Sequence, residues 1–137
     1  MKKALSITLF AAALLSPPWA AAQSSAPVWN TQKNSQYGVT VDVTPLDLSA
    51  GAKTWDFKVV LDTHSQELSD ALPKTAALID DRGTRYAPLA WDGAAAGGHH
   101  REGVLRFNPI TPRPQSFELQ IQRPNEPAAR AFRWTFP

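Results

Sequence analysis

All three histidines of this chain fall in two short segments, Asp62-Thr63-His64-Ser65 and Gly97-Gly98-His99-His100-Arg101. Neutral imidazole suits Cu(II) and Zn, so His64, His99 and His100, with Asp62 completing the set, are the candidate metal ligands. Asp62 and His64 are two apart and share a face if a strand runs that far. His99 and His100 are adjacent and point to opposite faces of a regular strand. Both reach one ion only where the preceding glycines let the backbone turn. Such a set loses affinity as pH falls through about 6.5, where histidine becomes charged. The same residues allow two metal-free readings. In one, His64 ends a strand and bonds neighbouring backbone while His99-His100-Arg101 orders a loop against it. In the other, a polar patch that includes Arg101 and Glu102 as binding residues recognises a protein partner.

Other chemistries find less support. The chain has no cysteine, and its one methionine is Met1, which removes thiolate catalysis, thiolate metal sites and thioether copper sites. Asp62, His64 and Ser65 have the residue types of a hydrolytic triad, but they sit side by side. A triad brings base, nucleophile and orienting acid together from separate places. There is no Gly-x-Ser-x-Gly elbow, phosphate loop or dinucleotide fingerprint. Asp80-Asp81-Arg82-Gly83 reads as a hairpin turn, not a carboxylate pair for acid–base work. The expectation is a protein that is not an enzyme.

Those residues would work outside the cytoplasm. Lys2-Lys3, the apolar run Ala4 to Leu15 and the small residues Ala20-Ala21-Ala22 form a secretory signal peptide, residues 1–22, with its cut before Gln23. It is too short for a comfortable membrane span, so no membrane span is expected after cleavage. The destination is periplasmic or secreted. Of 14 Lys+Arg against 12 Asp+Glu, two are Lys2 and Lys3, so Gln23–Pro137 is formally neutral. That removes the electrostatic footprint of a nucleic-acid partner. Without disulfides, packing alone must hold the fold.

Residues 23–36 read as a flexible leader and 37–137 as one domain. From Tyr37 the chain alternates at period two, the mark of half-buried strands. Val39, Val41 and Val43 share a face, as do Trp55, Phe57, Val59 and Leu61. Thr75 to Ile79 leads into the Asp80–Gly83 hairpin. Thr84 to Trp91 returns, interrupted by Pro88, which suits an edge or a bulge. A Gly/Ala loop, Asp92 to Gly98, precedes a strand over Arg101 to Phe107. Phe117, Leu119 and Ile121, then Phe132, Trp134 and Phe136, complete seven strands. The expected fold is all-β: a seven-stranded antiparallel immunoglobulin-like β-sandwich, with a closed Greek-key barrel as the alternative. Trp55, Trp91 and Trp134 are expected in the core.

The run Val41-Asp42-Val43-Thr44-Pro45-Leu46, then Leu61-Asp62-Thr63-His64-Ser65, then Asp80-Asp81-Arg82-Gly83 with Tyr86-Ala87-Pro88-Leu89, then Gly97-Gly98-His99-His100-Arg101 with Gly103-Val104-Leu105, resembles a family of exported bacterial domains of telokin-like, immunoglobulin-like form. The resemblance spans nearly all of Tyr37 to Phe136. It implies the sandwich fold and no activity. The resulting expectation is an exported binding protein that takes copper(II) or zinc through the histidines. The alternative is a metal-free docking or assembly module for an envelope protein partner.

Overall fold

The computed structural model describes residues 28–137, together with Ala4, Ala13 and Leu15. The remainder of the expected signal peptide, its cleavage site and residues 23–27 of the leader lie outside the described residues. In chain order the elements are β1 Gln32–Gln36, β2 Val39–Pro45, β3 Trp55–Thr63, α1 Leu72–Thr75, β4 Ala76–Asp80, β5 Arg85–Tyr86, β6 Ala90–Gly93, β7 His100–Phe107, β8 Ser116–Ile121 and β9 Arg130–Thr135. They form two antiparallel sheets, β1-β2-β3-β7-β6 and β5-β4-β8-β9. Among the described residues no helix is long and apolar enough to cross a membrane.

Alternation does the building. Along β3 every second residue from Trp55 to Thr63 is buried while Asp56, Lys58, Val60 and Asp62 face outward. The inner faces close on one aromatic centre. Phe57 meets Phe107 edge-on at 5.6 Å, and Phe117 stacks on Trp134 at 5.6 Å. Val41, Trp55, Phe57, Val59, Leu61, Leu105, Phe107, Leu119, Ile121, Phe132 and Trp134 are all buried. Each such side chain contributes roughly 1.5–3 kcal/mol relative to exposure.

Four expectations need correction. The leader is not free to Gln36: residues 32–36 form an edge strand paired with β2. The hairpin turns on Tyr37 and Gly38, both at positive φ, a turn whose twist matches the strands it joins. Trp29 packs edge-on against Phe117 and Phe136. Second, the expected single strand over Thr84–Trp91 is two, because Pro88 cannot donate to a ladder. β5 pairs with β4 in one sheet and β6 pairs with β7 in the other. With β1, this makes nine strands among the described residues instead of seven. Third, β6 extends to Gly93, into the segment expected as loop. Fourth, Trp91 is only half-buried.

One end of the sandwich is filled by ions. Arg123 donates two bonds to Asp70, both at 3.0 Å. Glu126 accepts from Arg123 at 3.0 Å and from Arg130 at 2.8 Å. Arg130 also donates to the carbonyls of Asn34, Gln36 and Val39. Arg101 donates to the carbonyls of Leu68, Asp70 and Ala94 and sits over the Trp91 ring at 5.7 Å. Buried charge survives only when paired or hydrogen-bonded. Here the pairing ties together the loops that flank the histidine segments.

Candidate functional site

The β3–β7 ladder brings the two histidine segments together. Its register sets Asp62 directly against His100, Val60 against Glu102 and Lys58 against Val104. All these residues lie on the outer face of the five-stranded sheet, because their neighbours Leu61, Arg101 and Leu105 point inward. His100 Nδ1 lies 2.5 Å from Asp62 Oδ1, and its Nε2 lies 3.6 Å from Glu102 Oε2. Lys58 Nζ reaches Glu102 Oε1 at 2.8 Å. The result is an exposed row, Lys58–Glu102–His100–Asp62, of alternating charge.

The electrostatics of the row are self-consistent. The Asp62 hydrogen bond, then its charge, raises the His100 pKa, and Glu102 adds to this. The bond from Lys58 lowers the Glu102 pKa. A carboxylate at each ring nitrogen favours the doubly protonated imidazolium, which has no lone pair to offer a cation.

The other candidate residues are not drawn into this row. His64 lies one residue beyond β3 and is exposed. His99 contributes its carbonyl, which accepts from Thr63 N at 2.9 Å. His64, His99, His100 and Asp62 do not form one ligand set: among the described residues no group of three or more His, Cys, Asp or Glu could hold a metal ion. Neither His64 nor His99 belongs to a strand, so the β3–β7 register that sets Asp62 against His100 does not position them. Arg101 is also corrected. It is 2% exposed and faces inward opposite Leu61, so it cannot bind a partner at this face, whereas Glu102 remains available.

The Asp80–Asp81 pair acts as turn chemistry. Asp80 Oδ1 accepts from the N–H groups of Arg82 and Thr84, both at 2.9 Å, and Oδ2 accepts from the Tyr86 hydroxyl. Asp81 accepts from Gln115 N at 3.0 Å. The depression beside them, about 330 Å³ and lined by Tyr86, Ile110 and Pro112 among others, therefore has no free carboxylate pair. Sequence reasoning missed the Asp70–Arg123–Glu126–Arg130 lattice. The spacing Arg123, Glu126, Arg130 carried a signal, because residues three and four apart can meet in a tight turn.

No family model matches the chain, and no curated protein matches it. Among solved structures it is similar to a DUF4426 family protein from Pseudomonas aeruginosa PAO1, with 18% identity and a TM-score of 0.47, covering 77% of this chain and 94% of that one.

Proposed function

We propose that this chain is an exported, non-enzymatic docking module of immunoglobulin-like kind, which presents the outer face of its five-stranded sheet to an envelope protein. The Lys2-Lys3 start and the Ala20–Ala22 site support export. One observation carries the docking reading: the face is a held ladder of ion pairs across the strands. Lys33 pairs with Asp42, Lys58 with Glu102, His100 with Asp62, and Arg106 with both Asp56 and Asp92. Exposed pairs of this kind add little to stability, so folding energy does not explain their extent. They do fix long side chains in advance, which lowers the ordering cost of binding. Five carboxylates against Lys33, Lys58, Arg106 and His100 leave the face acidic, which fits a partner surface rich in Lys or Arg.

A photo-crosslinking residue placed at Val60, on this face, and at Ala131, outward on β9, tests the reading in cells that export the protein. The expected result is a discrete adduct from Val60 and none from Ala131, lost when Asp62 and Glu102 are both changed to Lys. No adduct from Val60, or the same adducts from both positions, overturns it.

A further inference from the structure

The four sheet edges are treated unequally. On one side β1 and β9 face each other, and side chains bridge the gap. Arg130 occupies carbonyls of the β1–β2 hairpin, the Gln32 amide engages both main-chain groups of Arg133, and Trp134 Nε1 donates to Asn30 O. On the other side β5 is two residues long and ends before Pro88. Only β6 remains as a paired strand with its outer edge uncovered by such contacts among the described residues. α1 lies close to β6, yet Ala90, Asp92 and Gly93 are exposed.

The register fixes which backbone groups are free. Ala94 N donates to Glu102 O at 3.0 Å, so in an antiparallel ladder Asp92 and Ala90 also turn toward β7, and Trp91 and Gly93 turn away. The Gly93–Gly103 pair agrees with this. A Cβ built on Gly93 would stand 2.5 Å from Gly103 Cα, the close approach of a pair that exchanges no hydrogen bonds. The N–H and C=O of Trp91 and Gly93 therefore point out of the sheet, ready to pair with another strand.

Charge states what that strand should be. Asp56 on β3, Arg106 on β7 and Asp92 on β6 alternate in sign across the outer face, at 3.2 and 3.3 Å. Arg106 is shared by two carboxylates, and the Asp92 side chain is 73% exposed at the end of the series. The next position outward calls for a cation. On the inner side the half-buried Trp91 indole offers apolar contact.

We infer that the β6 edge is a strand-addition site for an extended segment of a partner protein that alternates cationic and apolar residues. This rests on the docking reading and names its partner chemistry; Asp92 would pair with the cation, and Trp91 and Gly93 would supply the main-chain bonds.

The probe is a six-residue peptide of alternating Lys and Val, titrated into the isotopically labelled protein and followed by amide resonances. The expected result is saturable movement of the Trp91 and Gly93 amides. Asp92→Lys, an exposed change, should weaken binding about fivefold. A peptide N-methylated at the residues whose N–H would face β6 should not bind. The inference is overturned by no saturable movement, by movement at Val60 without Trp91 and Gly93, or by equal binding of the N-methylated or an alternating Glu-Val peptide. Dimerisation through β6 in place of peptide binding also overturns it. Val60 adducts that persist while the peptide fails would remove this inference and leave the docking face standing. Peptide binding without Val60 adducts would do the reverse.

Discussion

Gln32 and Arg133 meet across the gap between the two sheets as if they belonged to one. The Gln32 Nε2 amide donates to the Arg133 carbonyl, and its Oε1 accepts from Arg133 N at 3.1 Å. A primary amide presents the same donor and acceptor as a peptide group, so one side chain replaces a missing rung of the ladder. Gln32→Leu should cost about 1–3 kcal/mol for two hydrogen bonds of ordinary net worth. It should also free the β9 edge, and an uncovered edge invites pairing between chains. Denaturant melts and sedimentation at rising concentration check both outcomes. An unchanged midpoint with a monomer throughout would show that the seam holds without this residue.

The buried lattice makes a sharper demand. Asp70→Ala strips the buried Arg123 guanidinium of two of its three hydrogen bonds and leaves it Glu126 alone, and removing one partner of a buried pair costs about 3–5 kcal/mol. Chemical denaturation should show that loss, and it should exceed the cost of Asp92→Ala, whose partner Arg106 is partly exposed.

Core truncations give the scale for comparison. Phe57→Ala should cost about 3–5 kcal/mol and Leu119→Ala about 2–5 kcal/mol, because each leaves a cavity in a single small core. Both side chains are fully buried. Changes below about 0.5 kcal/mol at both sites, well under the usual range for such truncations, would contradict the packing.

Much of this architecture was readable from alternation. The runs ending at Leu61, Phe107, Ile121 and Trp134 bury the residues that their period assigns inward. The β1 strand was not readable, because Gln32-Lys33-Asn34-Ser35-Gln36 is polar throughout and its place depends on Arg130, far along the chain. Pro88 marked an edge correctly, but local sequence could not reveal that the chain changes sheets there. At the site, the nearness of His99-His100-Arg101 to the segment ending in His64 was one of the readings the sequence offered, but its form as a β3–β7 ladder rests on long-range register that no local pattern carries. Arg101 went astray because a charged residue at an inward position is placed by a buried lattice whose other members, Asp70 and Arg123, carry no local pattern.

The protonation of His100 has a definite sign. Asp62 raises its pKa in the folded chain above the ordinary value of about 6.5. The contribution of the pair to stability is therefore full below that value and is lost as pH rises through the raised one. Asp62→Asn should bring the His100 ring titration down toward 6.5, read from its Cε1 proton by NMR, while Asp62→Glu should largely keep it raised. A His100 midpoint at or below 6.5 in the unaltered protein would contradict the 2.5 Å contact.

Whether the Lys58–Glu102–His100–Asp62 row serves a protein or an ion is decided most directly by melting the protein at neutral pH with micromolar Cu(II) and then Zn(II), with His100→Ala alongside. A ligand that binds the native state alone raises the melting temperature in proportion to its excess over Kd. The docking account predicts the same melting temperature with and without either metal, in both proteins. A rise in the unaltered chain that disappears in His100→Ala would contradict it and make the histidines metal ligands.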